Sequence, residues 1–208
     1  MNKIHITGID KAVYSFRGID KTGCYQTECD DECCKYGADV DKESYDLIFH
    51  NRRIVEREIG RRIESCFKKR WLNDSHYLGG NAVESRVGRS GFCMFHAVIG
   101  KGCVLYKLVH EKELPRRLIP SICRLYPLTW ADGKLTIADD VYPTCNCMKK
   151  DAFAAGILAT QKSEVEDIFY IDPPAREKAR AAFGRKSGIR NSQTRKRSQR
   201  RQSHGSQT

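Results

Sequence analysis

The sequence predicts an α+β domain made of short β-hairpins, one long amphipathic helix and further helices near the C-terminus. Three observations predict it. Apolar residues recur with helical spacing between 42 and 71. Short β-rich runs elsewhere are separated by glycine-containing turns. Ten cysteines, most of them clustered or set at strand ends and turns, are spread along a chain of 208 residues, which is long enough to bury a core without covalent staples.

Near the N-terminus, Lys3-Ile-His-Ile-Thr7 alternates apolar and polar residues, as does part of Ala12-Val-Tyr-Ser-Phe16. With Gly8-Ile9-Asp10 between them, these read as two short strands of a hairpin. A cysteine-rich loop follows, Cys24-Tyr-Gln-Thr-Glu-Cys29-Asp-Asp-Glu-Cys33-Cys34, acidic at its centre and followed by Gly37, which permits a tight turn.

Residues 42–71 read as the long helix. Asp41 is placed to cap it and Glu43 to favour its positive end. Apolar residues at 45, 48, 49, 55, 59, 63, 66, 67 and 71 form its buried stripe. Arg52, Arg53, Arg57, Arg61, Arg62, Lys68 and Lys69 form a solvated face. Residues 73–90, polar and rich in Gly and Ser, read as a loop.

Beyond the loop, Gly91-Phe-Cys-Met-Phe95 and Gly102-Cys-Val-Leu-Tyr-Lys-Leu-Val109 read as the arms of a hairpin with a cysteine on each. A short helical turn is expected between His110 and Cys123, interrupted by Pro115 and Pro120. Asp132-Gly133 between two β-rich runs signals another hairpin. Helical segments follow around 149–161, 163–170 and 174–184, the last with Pro174 in its first turn and Gly184 at its end.

Charge divides the chain at residue 184. The net charge is +11, with 37 Lys and Arg against 26 Asp and Glu. Residues 185–208 hold eight of the basic residues and no acid. They also hold almost no apolar side chain, so disorder is expected there. The expected organisation is a cysteine-cluster metal-binding domain over 1–184 and a basic tail over 185–208. The tail would attract nucleic acid without sequence preference, because it has cations for phosphates and no aromatic residue for base stacking. A solubilising extension explains it equally well.

No run approaches the ~20 apolar residues of a membrane span, and no apolar leader is visible. The expected compartment is the cytoplasm, and no membrane partner is expected. In that compartment thiols stay reduced, and clustered cysteines favour metal over disulfides or redox pairs. Cys66 falls on the helical stripe and reads as a core hydrophobe. The remaining nine, Cys24, Cys29, Cys33, Cys34, Cys93, Cys103, Cys123, Cys145 and Cys147, are the candidate metal ligands. Thiolates favour zinc, iron or an iron–sulfur cluster over hard-oxygen metals.

Nine thiols exceed the four of one structural zinc, and in extended backbone neighbours such as Cys33 and Cys34 point apart. Both features suggest more than one ion. His96, three residues from Cys93, is a secondary candidate, and Asp139 and Asp140 could supply carboxylates. His50 and His110 read as ordinary polar positions. No phosphate-binding glycine loop, nucleophile elbow or zinc-protease helix is present, so any catalysis would have to come from the metal centre.

The ordered cysteines resemble the YkgJ-like cysteine-cluster family of zinc- or iron-chelating domains. The similarity runs over about residues 22–147. It is carried by Cys24-x4-Cys29-x3-Cys33-Cys34, Phe92-Cys-Met-Phe95, Gly100-Lys-Gly-Cys-Val-Leu-Tyr106, Pro120-Ser-Ile-Cys-Arg-Leu-Tyr-Pro-Leu-Thr-Trp130 and Cys145. Ile119-Pro120 stands where the family usually has Arg-Pro. The resemblance implies metal chelation and supplies no defined reaction. The sequence therefore leaves three functions: a zinc- or iron-binding protein, a metal-dependent transferase or redox enzyme with an open coordination position, and a nucleic-acid-associated protein acting through its tail.

Overall fold

The computed structural model describes residues 3–19, 24, 31–74, 78, 80–100, 102–139 and 156–184. Cys29, Cys145, Cys147, Asp140 and the basic tail lie outside the described residues. In chain order the strands are β1 (Ile4–Ile6), β2 (Gly8–Ile9), β3 (Asp39–Asp41), β4 (Phe67–Asp74), β5 (Gly80–Ser85), β6 (Leu128–Ala131), β7 (Lys134–Ile137) and β8 (Phe169–Ile171). The α-helices are α1 (Lys11–Ser15), α2 (Lys42–His50), α3 (Arg52–Ile59), α4 (Val104–Lys112), α5 (Ser121–Leu125), α6 (Ile157–Thr160), α7 (Lys162–Ile168) and α8 (Pro173–Gly184).

The fold is mixed α and β, with small sheets. β1 and β8 pair in parallel. β2 runs parallel to β7, which pairs antiparallel with β6. β5 lies between β3 and β4, antiparallel to both. Two apolar cores result. One gathers Ile6, Val13, Leu125, Leu135, Ile157 and Ile168 beneath β1, β7 and the C-terminal helices. The other gathers Val40, Ile48, Val55, Ile59, Leu105 and Leu108 between the β3–β5–β4 sheet and α2, α3 and α4. Among the described residues no helix is long and apolar enough to cross a membrane.

The Asp132-Gly133 hairpin forms as expected. Both residues have positive φ, 49° and 70°, the backbone that a two-residue turn of this hand requires. Asp41 caps α2, its side chain accepting from the Ser44 amide at 2.9 Å.

Four expectations are corrected. The long helix over 42–71 is two helices, a 3-10 turn and a strand. Asn51 leaves helical geometry (φ −97°, ψ 22°) between α2 and α3, and Gly60 stops α3 with φ 67°. Phe67 and Trp71 then lie on β4 and close an aromatic cluster with Tyr45 and Phe49. A separation of four residues keeps two side chains on one face of a helix and of a strand alike, so the periodicity did not separate the two. The polar stretch 73–90 contains β5, the central strand of its sheet, because Ala82, Val83 and Ser85 are buried behind a polar start.

Residues 102–109 are not a hairpin arm. Val104, Leu105 and Leu108 bury one face of α4, and packing overrides the strand propensity of the run. The N-terminal hairpin is also absent. β1 pairs with β8 far along the chain, and residues 11–15 are helical, capped by Asp10, which accepts from the Ala12 amide at 2.8 Å.

Candidate functional site: a cavity lined by six thiols

Between the two cores lies a cavity of about 270 Å³. Cys24, Cys33, Cys34, Cys93, Cys103 and Cys123 all line it. These are the six expected ligands that fall within the described residues, brought together from segments as far apart as 24 and 123. All carry thiols rather than disulfide bonds.

Main-chain hydrogen bonds strap the cysteine segments together. The Cys93 amide donates to the Cys34 carbonyl at 2.7 Å, and the Cys103 amide donates to the Cys24 carbonyl at 3.1 Å. The 93–103 loop closes on itself through paired bridging of His96 with Cys103. Cys33 and Cys34 sit on a 3-10 turn, Glu32–Tyr36, entered through Asp31 in the left-handed conformation (φ 55°). The backbone there is not extended, so these neighbours do not diverge as expected: both line the same cavity, and their side chains are hydrogen-bonded.

Gly37 ends that turn with φ 73° and ψ −166°, a region open in practice to glycine. A Cβ there would lie 2.7 Å from the Ser85 carbonyl oxygen. The close approach lets the Ala38 amide donate to Ser85 Oγ at 2.8 Å, and Ser85 Oγ is in turn hydrogen-bonded to Cys93 Sγ at 3.3 Å.

Asp31 ties the first cysteine turn to the second loop. Its buried carboxylate is hydrogen-bonded to His96 Nε2 at 2.8 Å and accepts from the Gly102 amide at 3.2 Å. His96 itself lines the cavity and stacks on Phe92, with ring centroids 4.5 Å apart. A carboxylate on one ring nitrogen leaves the lone pair on the other, which is the arrangement usual behind a metal-binding histidine.

Cys123 is carried by α5, whose placement is fixed from both sides. The Asp41 carboxylate that caps α2 also accepts from the Ser121 amide at 2.9 Å. Arg124, buried beside Cys123, donates to the Ile119 carbonyl at 3.0 Å, to Glu164 at 2.8 Å and to Asp167 at 2.9 Å. Arg116 pairs with Glu164 and Arg117 with Asp167, so three arginines meet two carboxylates of α7. Tyr106 donates its hydroxyl to the Cys123 carbonyl at 3.1 Å.

The electrostatics are those of crowded thiols shielded from water. The hydrogen bond with Cys33 is the main cause that pushes the Cys34 thiol far above its ordinary range, followed by burial and by the charges of Cys33, Cys103 and Cys123. Burial first, then Cys103, Cys93 and Cys33, push Cys123 well up. Cys103 is pushed up to about 12 by burial and by Cys93 and Cys33, against hydrogen bonds from the Tyr106 and Leu105 amides. Burial also raises Cys93, and Cys33 adds to it. Cys93, Cys103 and Cys123 resist ionisation first through burial and then through neighbouring thiols, and Cys34 first through its hydrogen bond with Cys33 and then through burial. A cation reverses that logic, since it favours the thiolate form of every group it touches.

The other sequence candidates fall elsewhere. Cys66 is fully buried in the second core, with its thiol pushed up to about 11 chiefly by burial, and it does not line the cavity. His50, His110 and Asp139 are exposed. Among the described residues no three His, Cys, Asp or Glu side chains are arranged to clasp a metal ion as they stand. A metal-stapled cluster is therefore not displayed, although its candidate donors share one cavity.

Sequence reasoning did not single out Asp31, Ser85, Tyr106, Arg124 or Gln161 as site residues. Arg124 and Tyr106 lie within the cysteine motifs, one residue after Cys123 and three after Cys103, and that proximity was the available signal. Ser85 and Gln161 reach the site by tertiary packing, for which local sequence carries no signal. No family model, no curated protein and no solved structure matches this chain.

Proposed function

We propose that this protein binds a soft metal, zinc or iron, through the thiols of the central cavity. One observation supports the reading most: all six described cysteines other than Cys66, drawn from separate segments, line a single cavity. Gathering six half-buried thiols around one cavity has no packing rationale, since a small apolar surface is built more simply from alanine and valine. The donor chemistry fits zinc or iron, which take thiolate ligands, and excludes a preference for magnesium or calcium.

Cys24, Cys33, Cys34, Cys93, Cys103 and Cys123 are the proposed donors, with His96 oriented by Asp31 as a seventh. Cys29, Cys145 and Cys147 complete the set by sequence. A bound metal would hold these thiols as thiolates and join the two halves of the fold. Binding would release protons, because the thiols are neutral without it. The resemblance of the ordered cysteines to the YkgJ-like family agrees with this reading.

The test is the metal content and absorption spectrum of the full chain purified without oxygen, beside Cys123→Ser and Cys34→Ser. Bound zinc or iron in the wild type, reduced in both variants, is the expected result. A metal-free wild type whose thiols all react with a thiol reagent in the folded state would defeat the proposal.

A further inference from the structure

Residues 85–110 contain Arg86, Arg89, Lys101 and Lys107 and no Asp or Glu. Lys107 pairs with Glu58 at 2.7 Å. Arg86 and Arg89 are exposed, on a segment that folds into a tight turn. The Gly91 amide donates to the Gly88 carbonyl at 3.0 Å, and the Gly88 amide donates to the Phe92 carbonyl at 2.8 Å. Arg89 and Ser90, both exposed, are the two central residues of that turn.

A third arginine reaches the same place from the segment after α3. Arg61 is half-buried, and its Nη1 lies 3.0 Å from Met94 Sδ. Met94 packs against the turn: a Cβ added at Gly88 would lie 3.1 Å from its sulfur and 3.7 Å from Ser90 Oγ. The Met94 amide donates to the Arg86 carbonyl at 2.9 Å. Arg61 therefore adjoins the turn that carries Arg86 and Arg89. A thioether is a weak acceptor, and the other contact of Arg61 is the Ile59 carbonyl at 3.1 Å, so neither neutralises its charge. The acids nearest in sequence are already matched: Glu56 and Glu64 by Arg52, Glu58 by Lys107 and Glu84 by Lys68. Three guanidinium groups are left as a local excess of positive charge.

A single small anion gains little from charges exposed to water. A polymer of phosphates gains from every contact, because each one releases condensed counterions. Guanidinium forks and hydroxyls are the usual partners of backbone phosphates. A flexible acidic peptide would have to be ordered on the turn, whereas a duplex is already ordered. We infer that Arg61, Arg86 and Arg89, with Ser90 as an added donor, hold the phosphate backbone of a nucleic acid. The surface is separate from the basic tail and uses none of the proposed metal donors.

The experiment titrates the full chain against a short fluorescein-labelled DNA duplex by anisotropy, at about 50 and about 200 mM salt. Arg86→Gln/Arg89→Gln removes two exposed cations from the turn. Each lost phosphate contact lowers the salt slope by ~0.9, so the wild type should lose roughly tenfold more affinity over this range than the variant. Lys11→Gln/Lys134→Gln removes the same charge from exposed positions beside the first core and should behave as the wild type. Absence of binding at the lower salt would overturn the inference. So would a wild-type salt slope in Arg86→Gln/Arg89→Gln, which would leave all binding to the tail, or an equal fall in the Lys11→Gln/Lys134→Gln control, which would leave only net charge. Polyglutamate that binds as tightly as the duplex, and is lost in Arg86→Gln/Arg89→Gln, would assign the surface to an acidic protein segment and overturn it as well.

Discussion

Replacing Arg124 with methionine should destabilise the protein by roughly 3 kcal/mol. The side chain is 4% exposed and Glu164 is 2% exposed, so the change leaves a buried carboxylate with less compensation. Removing one member of a buried ion pair costs about 3–5 kcal/mol. The lower end applies because Arg116 still pairs with Glu164 and Arg117 with Asp167. The lost bond to the Ile119 carbonyl adds to the cost and frees the N-terminal side of α5, the helix that carries Cys123. Urea unfolding followed by circular dichroism measures the effect. With a slope of about 2 kcal/mol per molar urea, the midpoint should fall by roughly 1.5 M. Arg124→Lys should fall in between, because an ammonium keeps the charge but cannot reach all the partners of a planar fork. A midpoint for Arg124→Met within about 0.3 M of the wild type would refute the claim that this network holds α5 in place.

Three further outcomes follow from named contacts. Gly37→Ala should cost about 1–3 kcal/mol from its backbone region alone, and more because its Cβ meets the Ser85 carbonyl at 2.7 Å; thermal unfolding checks it. Cys66→Ala should leave metal content unchanged while Cys123→Ser lowers it, since Cys66 lies in the second core; equal losses in elemental analysis would contradict the assignment. For the acid limb, burial opposes ionisation of Asp167 and Glu43, but Arg117, with Arg124 at Asp167, outweighs it and holds both carboxyls below their ordinary range. Their contribution is therefore complete above the unfolded carboxylate range of about pH 4 and is lost as pH falls through the lower folded values. Arg117→Met should differ most from the wild type at neutral pH and converge with it as pH falls below the ordinary carboxylate range, as read from urea midpoints across pH.

How much of this was legible in the sequence differs by element. The Asp132-Gly133 hairpin and the Asp41 cap were readable because each rests on one or two residues whose backbone or side-chain chemistry is local. Six of the nine candidate cysteines line one cavity, as clustered thiols in acidic and glycine-rich segments suggested, and the other three lie outside the described residues. The helix over 42–71 was misread past residue 59, because Phe67 and Trp71 keep a spacing compatible with both helix and strand. The strand at Gly80–Ser85 was hidden by its polar start. The pairing of β1 with β8 could not be seen, since parallel partners more than 160 residues apart leave no local pattern. The same limit hid Gln161, whose hydrogen bonds form only where the start of α7 meets the Leu125–Tyr126 backbone.

The central claim is that the cavity thiols ligate metal, and X-ray absorption at the edge of the metal present in anaerobically purified full-length protein tests it most directly. A first shell dominated by sulfur at about 2.3 Å is predicted. A first shell of oxygen and nitrogen at about 2.0–2.1 Å, without sulfur, would contradict it.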